Sequence, residues 1–230
     1  MNLPPVRLVR QYDACRLIPS KHTDRGESVL ARIADDDSHL QDVFELDHAT
    51  NDRLLAENNL ALGIRVHELV FGVPYFRIVN AAFCHPNPLG SRFNGPDRGA
   101  WYAGFELKTA QAEVAFHKWI ELGETNWLEE TVTYDEFLAD FSAEFHDLRG
   151  ESAFIDCLSP NSYVASQSLA AILMPAGSLG VVYPSVRRPR GTCIACFRPV
   201  LVMNVRKRAS YQFLWSGSRT PRIERIKAPS

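Results

Sequence analysis

The chain has 230 residues, 46% of them hydrophobic and 23% charged, with 25 Lys plus Arg against 27 Asp plus Glu. That composition suits a globular domain with a real core. A formal charge of -2 excludes a general nucleic-acid binder, which would carry a marked basic excess, but leaves room for a local basic pocket. The start, Met-Asn-Leu-Pro-Pro-Val-Arg, lacks the apolar segment of a secretory leader. The apolar runs, such as Leu169 to Pro175, are too short to span a bilayer. A cytoplasmic protein is expected. Five cysteines at irregular spacing (Cys15, Cys84, Cys157, Cys193, Cys196) suit reduced thiols better than a disulfide frame.

Residues 1–69 differ in texture from the remainder and are expected to form a helical N-terminal extension. Glu27 to Asn59 is polar and acidic, with Val29, Leu30, Ile33, Leu40, Val43, Phe44, Leu54 and Leu55 at helical intervals. Ser38 and Gln41 resemble a capping box. Two or three short helices are expected there, packing on the main domain or on a partner. The main domain is expected over 70–230.

From Val70 the pattern favours strands. Pro74 to Val79 is rich in aromatic and β-branched residues and reads as a strand, which would place Arg77 on one face of a sheet. Trp101 to Phe105 reads as a short strand and Lys108 to Leu122 as a helix. Glu129 to Phe145 is ambiguous. Ser162 to Met174 reads as a helix closed by Pro175-Ala-Gly177. Leu179 to Tyr183, Thr192 to Phe197 and Val200 to Val205 read as strands. Tyr211 to Trp215 and Arg222 to Ile226 read as a hairpin around Ser-Gly-Ser. Strands do not alternate regularly with long helices, so the expected class is α+β with mostly antiparallel sheet.

The stretch from Ser91 to His117 is the richest in chemistry. It gives a turn with Arg92, a short aromatic strand, and a helix whose Ala110, Glu113, Val114, His117 and Ile120 share one side. Neighbouring Ala112, Ala115, Phe116 and Trp119 make that helix apolar nearly all round, which predicts burial. A carboxylate in such a helix needs partners or a shifted pKa; a salt bridge or a solvent-side position is the structural alternative. Arginine, aromatic and half-buried acid together suit an anionic ligand that reacts through a positive centre. Arg92 taken alone is an ordinary solvated loop arginine, and an arginine fork beside Phe93 can also grip phosphate or carboxylate. For Arg77, ligand contact and structural ion pair are both open.

Ser185, in Tyr183-Pro184-Ser185-Val186-Arg187, stands at a strand exit. It lacks the Gly-x-Ser-x-Gly surround of a hydrolase elbow, so a turn serine is expected rather than a nucleophile. Cys193 and Cys196 form a lone C-x-x-C inside a strand pattern, where residues three apart face opposite sides; no second pair completes a metal site. Cys84-His85 is equally weak, and no metal is expected. The basic residues Arg206, Lys207, Arg208, Arg219, Arg222, Arg225 and Lys227 read as a solvated face, with a partner surface second.

In order along the chain stand Phe76-Arg77, Gly90-Ser91-Arg92-Phe93-Asn94, Trp101-Tyr102, Thr109-Ala110-Gln111-Ala112-Glu113-Val114 and Tyr183-Pro184-Ser185-Val186-Arg187. From Val73 to Pro199 this series resembles the RES family, toxin halves of bacterial toxin–antitoxin pairs. It departs from the family pattern at Ser91 and Phe93, where glycine and tryptophan are usual, and in the extra charged pair Asp97 and Arg98.

The resemblance implies an ADP-ribosyltransferase-like fold, with NAD as substrate rather than bound cofactor. It implies breakage of the nicotinamide–ribose bond with inorganic phosphate as co-substrate, releasing nicotinamide and ADP-ribose 1″-phosphate. NAD depletion and growth arrest would follow, restrained by an Xre-type antitoxin. Glu113, Arg92 and Ser185 are the catalytic residues it implies. Arg77, Tyr102, Phe93, Asn94 and Arg187 would bind substrate: the arginines on phosphates, Tyr102 and Phe93 stacking on nicotinamide or ribose. Ser185 would orient Glu113 or the substrate. No membrane or direct nucleic-acid partner is expected, and a homo-oligomer is left open. ADP-ribosyl transfer to a protein, a non-catalytic nucleotide-binding module and a zinc or redox protein are the competing readings.

Overall fold

The computed structural model describes residues 3–23 and 63–227. The helices expected within Glu27 to Asn59 lie outside the described residues. Around one long strand the chain builds a mixed sheet of seven strands in the order β1-β2-β5-β4-β3-β6-β7. The strands are β1 (Val6–Pro19), β2 (Trp101–Gly104), β3 (Glu129–Asp147), β4 (Gly180–Pro184), β5 (Thr192–Cys196), β6 (Met203–Ser216) and β7 (Arg222–Ile226). Among the described residues only β3 and β4 pair in parallel, in line with the expected mostly antiparallel α+β sheet.

The ambiguous acidic-aromatic stretch is β3, and it organises the sheet. It pairs along its length with β1, from Val6↔His146 to Pro19↔Tyr134, and with β6 on the other side, from Glu129↔Ser216 to Asp140↔Met203. Cys15↔Gly104 joins β1 to β2, so β1, β2, β5, β4 and β3 close into a ring. The expected extension over 1–69 is therefore corrected at its start: Val6–Pro19 is a strand of the main sheet. Its backbone groups bond to β3, and Val9, Ala14, Cys15 and Leu17 enter the core.

Among the described residues three α-helices cover the sheet: α1 (Phe76–Cys84), α2 (Leu107–Thr125) and α3 (Val164–Leu173). Val79 and Phe83 of α1 join Phe137, Phe141, Phe145, Trp101 and Ile194 in one core cluster. Leu169, Ala170 and Leu173 of α3 join Tyr183, Cys193 and Ala195 in a second. Ala110 and Leu122 of α2 meet Cys15, Leu17, Phe213 and Trp215 in a third. Period-two alternation explains the division, since Ile194 and Cys196 face the first cluster while Cys193 and Ala195 face the second. Each fully buried phenyl ring of β3 contributes about 1.5–3 kcal/mol through its transfer from water.

The strand expected over Pro74 to Val79 is corrected to helix. Phe76, Val79, Asn80 and Phe83 are buried at helical spacing, and that period outweighs the β-rich composition. Asn80 fixes the preceding segment by bonding both the N–H and the carbonyl of Val70. The strand expected over Val200 to Val205 begins later: Pro199–Leu201 is a 3-10 turn and β6 starts at Met203. The helix over 107–125 forms and ends at Asn126 in the left-handed region, φ 52°. It lies nearer the surface than expected: Thr109, Ala110 and Leu122 alone are buried along it.

Candidate active site

Glu113, midway along α2, is brought against the exit of β4. Pro184 ends that strand and the chain turns at Ser185, whose N–H bonds to the carbonyl of Gly191 at 2.8 Å. The Ser185 hydroxyl accepts the N–H groups of Arg187 and Arg188, each at 3.1 Å, and donates to Glu113 Oε1 at 2.6 Å. All hydroxyl capacity is thereby used in holding a turn and a carboxylate. Cys193 Sγ lies 3.7 Å from the same oxygen. Burial, then the negative charge of Glu113, pushes the Cys193 thiol well above its ordinary range. It stays protonated and can donate only weakly. Cys196 Sγ instead meets the carbonyl of Arg198, so the C-x-x-C thiols diverge as the strand period requires.

Arg92 is not a solvated loop arginine: it is 6% exposed. Its Nη1 donates to the carbonyls of Cys157 and Ser159 at 3.0 and 2.9 Å, and the guanidinium lies 4.7 Å from the ring centre of Tyr163. Among the described residues no carboxylate pairs with it. The loop that carries it is built tightly. Gly90 has φ +72°, and a Cβ there would come within 2.3 Å of the Asn94 carbonyl oxygen. Ser91 and Asn94 bridge, and Gln167 Nε2 donates to the carbonyls of Leu89 and Ser91.

Tyr102 locks the same loop. Its hydroxyl accepts the Phe93 N–H at 2.9 Å and donates to Asn94 Oδ1 at 2.8 Å. Asn94 is 1% exposed, and its Nδ2 bonds to the Gly95 carbonyl. Phe93 is 0% exposed, its ring centre 4.8 Å from that of Tyr183. Stacking of Phe93 on a ligand is thus corrected: with no surface left, this ring is core. Asn94 likewise spends its amide within the loop.

Arg187 lies across the ring of Phe116, 3.2 Å from its centre, and donates from Nη2 to the Pro160 carbonyl at 2.6 Å. Burial lowers its pKa, while Tyr163 and Glu113 favour its charge. Tyr163 thus serves both Arg92 and Arg187, a residue the sequence reading missed. Next to it Arg188 is already engaged with Glu106 and Thr109. His117, one turn after Glu113, stands open to solvent at the rim. Partial desolvation lowers its pKa, Glu113 opposes that, and Arg187 and Arg92 reinforce it.

Arg77 rides on α1 beside Phe76, 5.7 Å from that ring, rather than pointing from a strand. The arginine next to Tyr102 is Arg16 of β1, missed by the sequence reading. Its Nη1 donates to the Tyr102 carbonyl at 3.3 Å, and its guanidinium lies 4.8 Å from the Trp101 ring centre. Burial lowers its pKa to about 10, and no carboxylate among the described residues pairs with it. A lone cation in the run Cys15-Arg16-Leu17-Ile18-Pro19 was the available signal. The arrangement therefore offers one held carboxylate with unpaired guanidiniums near it, chemistry suited to an anion that becomes cationic at one carbon.

The charged pair after Asn94 has a structural use. Arg98 grips Glu68 with both Nη atoms at 2.9 and 2.7 Å, and Arg198 adds a contact of 2.8 Å. Despite partial burial these bonds lower the Glu68 pKa to about 2. Among the described residues no group of His, Cys, Asp and Glu is placed to hold a metal ion, and no helix is long and apolar enough to cross a membrane.

A family model of the RES domain matches residues 65–216. No curated protein matches the chain. Among solved structures the chain is similar to one from the M. tuberculosis MbcT–MbcA toxin–antitoxin complex. The identity is 16% and the TM-score 0.42, covering 57% of this chain and 73% of that one.

Proposed function

The chain belongs to the RES-domain family, and from that premise we propose that it cleaves the nicotinamide–ribose bond of NAD with inorganic phosphate as acceptor. In this reading it is the toxin half of a toxin–antitoxin pair that depletes NAD, with an Xre-type antitoxin as partner. The observation that carries the reading is the Glu113 carboxylate fixed by Ser185 at 2.6 Å beside Arg187, with the unpaired Arg92 in the same cluster.

Rupture of the bond leaves the electron pair on nicotinamide, which departs as a neutral ring, and leaves positive charge spread over the ribose. Little acid assistance is needed. A fixed carboxylate that meets this charge lowers the barrier, because it interacts more strongly with the cationic ribose than with the ground state. Glu113 takes that role and can accept a ribose hydroxyl, as glycosidase carboxylates do. Ser185 positions it. A phosphate oxygen then supplies the electron pair for the new bond to the ribose carbon. Arg92, Arg187 and Arg16 provide charge for the phosphates, with Arg16 in the place first given to Arg77. Tyr102 and Asn94 act by holding the Arg92 loop.

Incubating the full chain with NAD, with and without phosphate, tests the proposal. Nicotinamide release with ADP-ribose 1″-phosphate as co-product supports it. ADP-ribose attached to protein would redirect it to ADP-ribosyl transfer. NAD bound but intact would reduce it to a nucleotide-binding module.

A further inference from the structure

Phe116 is approached by two guanidiniums. Arg187 lies 3.2 Å from its ring centre and Arg219 5.3 Å. Arg219 belongs to the exposed turn between β6 and β7, beyond the residue at which the family match ends. Contacts with an aromatic face are favourable to each cation but leave its charge in place. Among the described residues neither forms an ion pair. Glu113 is close enough to favour the Arg187 charge, but its Oε1 is already bonded to Ser185. Arg187 Nε is in addition shielded from water with no acceptor. Unlike these two, Arg188 is neutralised by Glu106. The uncancelled positive charge calls for an oxyanion.

We propose that Arg219 and Arg187, braced on Phe116, form a seat for a phosphate oxyanion beside Glu113. The seat rests on the functional reading above only in taking Glu113 as the reacting centre. Two sources share this chemistry: free phosphate on its way to the ribose carbon, and the pyrophosphate of the dinucleotide. Arg219 is exposed in the turn, so replacing it perturbs the ligand and not the fold.

The test uses the full chain and its Arg219→Ala and Arg219→Lys variants. Thermal unfolding is compared in phosphate and in chloride at equal ionic strength, since a ligand that binds the folded state raises the midpoint. Phosphate should raise the midpoint of the wild type, Arg219→Ala should lose most of that rise, and Arg219→Lys should keep part of it. In turnover, Arg219→Ala should raise the KM for phosphate about tenfold, the scale of one charge-assisted contact. A rise in the KM for NAD instead would assign the seat to the pyrophosphate. If phosphate stabilises Arg219→Ala as much as the wild type, the seat is refuted. A wild type that binds phosphate but releases no nicotinamide would refute the functional reading and leave the seat standing.

Discussion

Ser185 Oγ lies 2.6 Å from Glu113 Oε1, a hydrogen bond across 72 positions of sequence that ties the exit of β4 to the middle of α2. The same hydroxyl accepts two turn N–H groups, so the turn and the carboxylate are fixed by one atom. Ser185→Ala should therefore slow nicotinamide release about tenfold or more by freeing the carboxylate, while Glu113→Gln should slow it about 10²-fold, on the scale of a lost electrostatic stabiliser. Steady-state rates for both variants check this. A Ser185→Ala enzyme slower than Glu113→Gln would mean that the serine reacts directly.

Arg16 should matter more to substrate binding than Arg77. Arg16→Ala is expected to raise the KM for NAD about tenfold, and Arg16→Lys to recover only part, because an ammonium lacks the planar fork. Paired KM measurements on Arg16→Ala and Arg77→Ala give the comparison. A larger effect at Arg77 would return the phosphate contact to α1.

Gly90→Ala should damage the Arg92 loop. The added Cβ meets the Asn94 carbonyl oxygen at 2.3 Å, and φ is +72°. Strain of this kind costs about 1–3 kcal/mol, and the loop must shift to relieve it. Denaturant unfolding should show a lower midpoint together with a loss of activity. An unchanged midpoint would contradict this account of the loop.

His146 contributes to the pH dependence of stability near neutrality, with the same sign as His117, whose pKa is lowered too. Its Nδ1 lies 3.0 Å from Ser178 Oγ, and burial lowers its pKa below the ordinary 6.5. The unfolded chain then binds the proton at higher pH than the folded one, so stability rises with pH across that interval. The contribution is complete above pH 6.5 and declines as pH falls toward the folded pKa. Asp135, Asp140 and Asp147, whose pKa values are lowered from 3.8, act only at more acid pH. Unfolding midpoints between about pH 5.5 and 7.5 should fall with acidification, less steeply in His146→Gln. Equal slopes would contradict the assignment.

Local patterns were legible where one period dominates. The strand at Trp101, the helix carrying Glu113, the divergence of Cys193 and Cys196 and the closing hairpin follow from spacing alone. The helix at Phe76 was not, because its β-branched and aromatic content hides a helical period of only nine residues. Strand β1 was hidden for a different reason: its partner β3 lies more than a hundred residues away, and no local rule reports such pairing. Arg16 went with it. Burial also reassigned Phe93, since a residue type fit for stacking says nothing of whether its ring has a free face. Arg92 shows the reverse case, a loop arginine drawn inward by two carbonyls and a tyrosine ring.

The most direct measurement is mass spectrometry of the products formed from NAD and ¹⁸O-labelled phosphate by the full chain and by Glu113→Gln. The account requires nicotinamide and a labelled ADP-ribose phosphate from the wild type, and about a hundredfold less of both from the variant. Intact NAD with the wild type, or equal product from the two, would contradict it.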